Sequence, residues 1–313
     1  MRKIAVVGSF VMDLIAQVDE FPQEGQTVIG KGFVTLPGGK GANQAVSASR
    51  QGADVAMYGR VGDDDFGKTF LGLFESEGID TGRVKMLKEF PTAMGLIQLN
   101  RSGENKIVVV PGANFGYELD DLIRDSEDFL KADLVLAQLE LKPEVTFKLI
   151  ELCFDAKVPI ILNPAPATAI PDDILSKITI LTPNETELEI LSGLPVNSLE
   201  SAKRASEALL EKGVKCVVAT LGKAGALIAD KDGFKAVSGF KVEAVDTVAA
   251  GDAFNGALAE GIAAGKAMEE AVRRANAVGA LAVTQRGAIP SIPKRETVDA
   301  FIDASQRVDG FSI

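Results

Sequence analysis

Short, nearly continuous apolar runs recur at residues 3–7, 54–58, 134–137, 159–162, 178–181 and 215–219. None alternates polar with apolar, so none reads as a strand with one wet face. Such runs belong to strands covered on both sides in a parallel sheet. Between them the apolar positions follow helical spacing, over 43–50, 66–77, 119–130, 144–155, 201–212, 253–265 and 268–284. Strand alternates with helix, which predicts an α/β fold: a doubly wound, mostly parallel sheet with helices on both faces.

Two segments break the alternation, at about 14–36 and 92–110. Each carries strand-like runs around a turn signal, Pro22-Gln23-Glu24-Gly25 in the first and Arg101-Ser102-Gly103-Glu104-Asn105 in the second. They predict a small β-sheet projecting from a single α/β domain that occupies 1–313. A sheet made this way has exposed edges and one apolar face, so it closes over a ligand or pairs with a second copy.

Composition narrows the chemistry. The 313 residues include no histidine, which removes Ser-His and Cys-His catalysis and HExxH zinc sites and leaves carboxylates, lysines and backbone groups. The net charge of −11 sets the average field against nucleic acid and acidic membranes, while a local helix N-terminus can still receive a small anion. The N-terminal apolar run meets Gly8 well short of a signal-peptide core or a membrane span, so a cytoplasmic protein is expected. Cys153 and Cys216 lack CxxC spacing and sit in apolar stretches, which predicts buried, reduced thiols.

Two motifs carry candidate chemistry. In Pro37-Gly38-Gly39-Lys40-Gly41-Ala42-Asn43-Gln44-Ala45, three glycines run into a helical pattern, where backbone N–H groups can face an anion or a polyol. The run is neither GxxxxGK[ST] nor GxGxxG, and tight packing alone would also call for its glycines. In Val245-Asp246-Thr247-Val248-Ala249-Ala250-Gly251-Asp252-Ala253, small residues lead into another helix. Its positive end can face phosphate oxygens, and Asp252 there is either an N-cap or an ionised proton acceptor.

With Asn163-Pro164-Ala165-Pro166-Ala167 and Thr182-Pro183-Asn184-Glu185-Thr186-Glu187 between these two motifs, the chain resembles the ribokinase branch of the PfkB carbohydrate kinase family, from Gly8-Ser9 to Gly287-Ala288-Ile289-Pro290-Ser291. The resemblance implies a Rossmann-like domain with a β-sheet lid, MgATP as phosphoryl donor and a pentose as acceptor. It implies Asp252 as the base that takes the proton of the sugar's terminal hydroxyl. Ala249, Ala250 and Gly251 become an anion hole for the transferring phosphoryl group. Asp13, Gly38, Gly39, Lys40, Gly41, Asn43 and Glu140 would hold sugar hydroxyls. Nucleotide contacts would fall on Asn184, Thr220, Gly222, Lys223, Gly225, Gly251 and Asn276, with Glu187 positioning magnesium and phosphate. A monovalent cation, potassium in most of the family, would sit among Asp246, Val248, Ala282, Gln285, Gly287 and Ser291. A homodimer joined through the lid is also implied.

One departure bears on the acceptor. The family typically opens with Gly-Ser-x-Asn-x-Asp, and this chain reads Gly8-Ser9-Phe10-Val11-Met12-Asp13. An apolar Val11 cannot bond a hydroxyl, and relatives that prefer 2-deoxyribose also carry an apolar residue there. Three readings stand open on the sequence alone: ribose or 2-deoxyribose as acceptor, another sugar or nucleoside, and a sugar-binding regulator without catalysis. A nicotinamide dehydrogenase is disfavoured by the missing GxGxxG after the first strand.

Overall fold

The computed structural model describes residues 2–309. The chain begins with strands β1 (Lys3–Val7), β2 (Val11–Gln17) and β3 (Gly32–Gly38), then helix α1 (Lys40–Arg50), β4 (Asp54–Gly62), α2 (Asp65–Ser76) and β5 (Asp80–Leu87). It continues through β6 (Met94–Leu99), β7 (Asn105–Val110), α3 (Leu119–Phe129), β8 (Leu134–Ala137), α4 (Pro143–Ala156), β9 (Ile160–Leu162), α5 (Asp172–Leu175) and β10 (Ile180–Leu181). The remainder comprises α6 (Glu185–Ser192), α7 (Leu199–Glu211), β11 (Cys216–Thr220), β12 (Gly225–Asp230), β13 (Gly233–Ser238), α8 (Ala250–Ala263), α9 (Met268–Ala282) and α10 (Arg295–Asp309).

Nine strands form the main sheet in the order β13-β12-β11-β10-β9-β8-β1-β4-β5. From β11 to β5 every neighbouring pair is parallel, and the hairpin of β12 and β13 continues the sheet antiparallel. The apolar runs are explained by two cores. On β1, Ile4 and Val6 face a cluster with α1, α2, α8 and α9, while Ala5 and Val7 face a second cluster with α3, α4, α6 and α7. Side chains alternate across a strand, so burial on both sides demands an unbroken apolar run.

The predicted small sheet is present, with order β3-β2-β6-β7. Two hairpins lie side by side, joined by parallel pairing of β2 with β6. It keeps apolar side chains at the surface, among them Phe33, Leu96, Ile107, Val108 and Val109. Its roots are tied to the main body by side chains that imitate backbone. Asn114 accepts from the Phe10 N–H at 3.0 Å and donates to the Phe10 carbonyl at 2.8 Å. Asp64 accepts from the Thr92 N–H and hydroxyl, both at 2.7 Å.

Six elements fall outside the sequence pattern: β5, α5, α6, β12, β13 and α10. β5 is the sheet edge and carries Asp80, Arg83 and Lys85, so its polar residues hide its strand character. The helix expected at 253–265 starts at Ala250, which puts Asp252 inside the first turn and makes Ala249, not Asp252, the N-cap. Both cysteines are free and buried, as expected, and burial pushes each thiol up to about 12. No helix among the described residues is long and apolar enough to cross a membrane.

Candidate active site

Polar residues stand directly after the C-terminal ends of the parallel strands: Ser9 near β1, Gln138 and Glu140 after β8, Asn163 after β9, Thr182 after β10 and Thr220 closing β11. That edge is where ligands enter open α/β sheets. A cleft of about 200 Å³ opens there, lined by Lys40, Asn163, Ala165, Thr182, Asn184, Glu187, Thr220, Thr247, Ala249, Ala250, Gly251, Asp252 and Asn255. It unites Lys40 and the Ala249–Asp252 segment, which are about two hundred residues apart in sequence.

The glycine motif owes its composition to close approach. Gly39 has φ 89°, and a Cβ there would lie 2.6 Å from the Val11 nitrogen. A Cβ on Gly41 would lie 2.3 Å from the Ser9 nitrogen. Helix α1 can therefore start against the β1–β2 turn only without those side chains, and the turn in turn bonds it. Ala42 N–H reaches the Ser9 carbonyl at 2.9 Å and Gly41 N–H reaches Ser9 Oγ at 3.2 Å. Gly38 and Gly95 flank Asp13: a Cβ on either would come within 3.1 Å or 2.5 Å of its carboxylate.

The second motif is built differently. Ala249 has φ 59°, a left-handed conformation costly for a residue with a Cβ, and α8 begins immediately after it. The first N–H groups of a helix have no partner within it; Ala250 and Gly251 line the cleft, with the Ala250 N–H reaching the Thr247 carbonyl at 3.4 Å. A Cβ on Gly251 would meet no protein atom within 4 Å. Asn255 secures this turn, donating to the Gly251 carbonyl at 2.8 Å and accepting from the Thr182 hydroxyl at 2.6 Å.

Asp252 is buried, and both of its oxygens are held. Oδ2 accepts from Asn43 Nδ2 at 2.8 Å and Oδ1 from Gln44 Nε2 at 2.9 Å. Gln44 Nε2 also donates to Asn163 Oδ1 at 3.0 Å, and Asn163 Nδ2 donates to the Thr182 carbonyl at 3.1 Å. Asn43 Oδ1, on the amide beside the Asp252 carboxylate, is buried with no hydrogen-bond partner.

Charge in the site is balanced around Lys40. Burial alone would lower its pKa, but Asp252, Glu140 and Glu187 together outweigh that and raise it. Glu140 accepts from Ser9 Oγ at 2.5 Å and from the Lys40 N–H at 2.9 Å, and burial pushes it up against the pull of Lys40 and these bonds. Burial, with Glu140 nearby, raises Asp13 to about 6. Val11 is buried on β2 opposite Gly38, close to this carboxylate pair.

The nucleotide-side residues divide. Asn184 caps α6, and its side-chain and backbone groups meet Glu187 in a reciprocal capping box, with Glu187 pushed up by burial. Both line the cleft with Thr220. Gly222, Lys223 and Gly225 form the β11–β12 turn outside the cleft lining, with Lys223 exposed. Asn276 lies on α9, donating to the Val237 and Ser238 carbonyls at 3.1 and 3.2 Å, and does not line the cleft. Of the predicted cation-site residues, Asp246 meets Val248 and Gly287 directly. Asp246 accepts from the Val248 N–H at 3.1 Å and the Gly287 N–H at 2.9 Å, and buried Ser291 donates to the Ala288 carbonyl at 2.8 Å.

Sequence reasoning left Ser9, Gln44, Gln138, Asn163, Thr182, Thr247 and Asn255 without a role. The available signal was positional: several directly follow an apolar strand run, at the edge where α/β sheets bind ligands.

A family model described as pfkB family carbohydrate kinase matches residues 1–295. The chain is similar to a ribokinase of Haemophilus influenzae, 39% identical over 305 residues, covering 97% of this chain and 99% of that protein. It is similar to a deoxyribokinase of Salmonella typhi, 36% identical over 304 residues, with 97% and 99% covered. Its fold is similar to that of Arabidopsis thaliana ribokinase complexed with ribose and ATP, with a TM-score of 0.89, 33% identity and 96% and 98% of the two chains covered.

Proposed function

Because the chain belongs to the pfkB family of carbohydrate kinases, we propose that it phosphorylates the 5-hydroxyl of D-ribose and of 2-deoxy-D-ribose at the expense of ATP. The observation that supports this most directly is Asp252, buried at the start of α8 behind the open backbone of Ala249, Ala250 and Gly251. A carboxylate held by two amides accepts the hydroxyl proton as the sugar oxygen bonds to the γ-phosphorus, and ADP leaves with the bond it breaks. The N–H groups of the α8 start offset the charge on the transferring oxygens, the main way such transfers are accelerated. Lys40 adds a positive charge to the same cleft.

Asp13, Asn43 and Glu140 supply acceptors for the remaining sugar hydroxyls, and buried Val11 favours a position without one. A hydroxyl facing Val11 would lose about 1–3 kcal/mol, which supports 2-deoxyribose as a substrate equal to or better than ribose. Among the described residues no cluster of three or more His, Cys, Asp or Glu side chains could hold a metal. Magnesium would therefore be held mainly by phosphates and water, with Glu187 as the nearby carboxylate, which matches how that ion binds nucleotides. Asp246 is a hard-oxygen carboxylate held by the Val248 and Gly287 N–H groups, and an oxygen ligand of that kind would suit a monovalent cation, which would firm the loop leading into Ala249.

An ADP-release assay over a sugar panel, with and without potassium, tests the proposal. Turnover is expected with both pentoses, with kcat/KM for 2-deoxyribose at or above that for ribose. A hundredfold preference for ribose overturns the role given to Val11. Silence with every sugar overturns the kinase reading.

A further inference from the structure

The hydrogen-bond network behind Asp252 has a direction. An ionised carboxylate only accepts, so the Gln44 atom 2.9 Å from Asp252 Oδ1 is the amide nitrogen. The Gln44 oxygen then faces away and must be met by a donor, which is Gln138 Nε2 at 2.7 Å. Reversing either amide would set two acceptors against each other. Gln44 and Gln138 are 0% and 1% exposed, so water cannot substitute for the lost bond.

Gln138 is kept at a cost. Its Oε1 is buried without a hydrogen-bond partner, and it lies where a Cβ on Gly8 would come within 2.2 Å. A buried acceptor left unpaired is unfavourable, and an apolar side chain of the same size would avoid that penalty. The donor aimed at Gln44 is what such a replacement would lose.

We infer that Gln138 and Gln44 are a positioning relay for Asp252: Gln138 fixes which way the Gln44 amide points, and Gln44 then holds Oδ1 so that the carboxylate stays ionised and aimed into the cleft. Neither glutamine touches the reacting atoms. The other groups that face Asp252 are Asn43, which donates to Oδ2, the cation of Lys40, and the like charges of Glu140 and Glu187. The inference rests on Asp252 serving as the base in the kinase reading.

The test uses Gln44→Met, Gln138→Met and the double variant, methionine matching glutamine in length without a donor. With the pentose that the parent turns over fastest, kcat is expected to fall about 10- to 100-fold for Gln44→Met and about 5- to 10-fold for Gln138→Met, each KM staying within about twofold. The double variant should be no worse than Gln44→Met alone, because both act through one bond. The carboxyl carbon of Asp252, followed by 13C NMR without substrate, should titrate at higher pH in both single variants. Additive losses in kcat, or an unmoved Asp252 titration in Gln138→Met, would overturn the relay. If methionine at 138 prevents folding, Gln138→Leu takes its place. Should the parent release no ADP with any sugar, the kinase reading fails alone, and the NMR titration still decides the relay.

Discussion

Gly41 and Gly251 sit at the starts of two helices on the same cleft and lack a side chain for opposite reasons. At Gly41 the protein itself fills the space: a Cβ would lie 2.3 Å from the Ser9 nitrogen and 2.6 Å from the Gly8 carbonyl carbon. At Gly251 nothing lies within 4 Å. The first glycine serves packing and the second leaves room for something that is not protein. The contrast separates a scaffold of packed backbone from a backbone surface left open, which in the proposed reaction would receive the phosphoryl group.

Gly41→Ala should produce the largest effect on stability, a loss of about 3 kcal/mol as α1 is forced off the β1–β2 turn. Thermal melts should show a fall of roughly 5–10 °C. Asp252→Asn should lower kcat by about 10³-fold or more with the proton acceptor gone, and the melting temperature by at most a few degrees, because its amide nitrogen must face Asn43, whose own amide then has to turn over. Retained turnover would refute its role as base. Gly251→Ala is the sharper test of the comparison, because alanine suits a first helical turn and should leave stability equal or slightly higher. Its kcat should nonetheless drop roughly 10- to 100-fold. A drop in melting temperature instead would mean that the second glycine, too, serves packing.

Val11→Asn should shift the ratio of kcat/KM toward ribose over 2-deoxyribose by roughly tenfold, read by competition between the two sugars. Asp13→Asn should have the smallest effect, and it depends on pH. Because the folded protein raises this carboxyl to about 6 from 3.8, ionised Asp13 costs stability above pH 6, and that cost fades as pH falls toward 4. The variant should therefore melt a few degrees higher than the parent at pH 8 and show little gain at pH 4.5. An equal gain at both values would mean that charge is not the cause.

Much of this was legible in the chain. The run at 3–7 and the run at 134–137 coincide with β1 and β8, because strands buried on both faces must be apolar throughout. The turn-separated runs at 14–36 and 92–110 gave the second sheet for the opposite reason, their break from that pattern. Gln44 and Asn163 stood inside the quoted motifs without a role. A glutamine within a small-residue helix reads as a solvated position until Asp252, 208 residues away, is brought beside it. Asn276 entered only through the family resemblance, and in the structure its amide donates to the carbonyls ending β13.

The proposed acceptor site is divided between two bodies. Asp13 belongs to β2 of the small sheet, whereas Glu140, Asn43 and Asp252 belong to the main one. Affinity for the sugar and the relative placement of the two sheets are thus thermodynamically linked, and neither can change without the other. A substitution at Asp64 or Asn114, which touch no sugar group, should register as altered acceptor affinity. Sugar added to the protein should, by the same reciprocity, protect the amides at the lid's roots from solvent exchange.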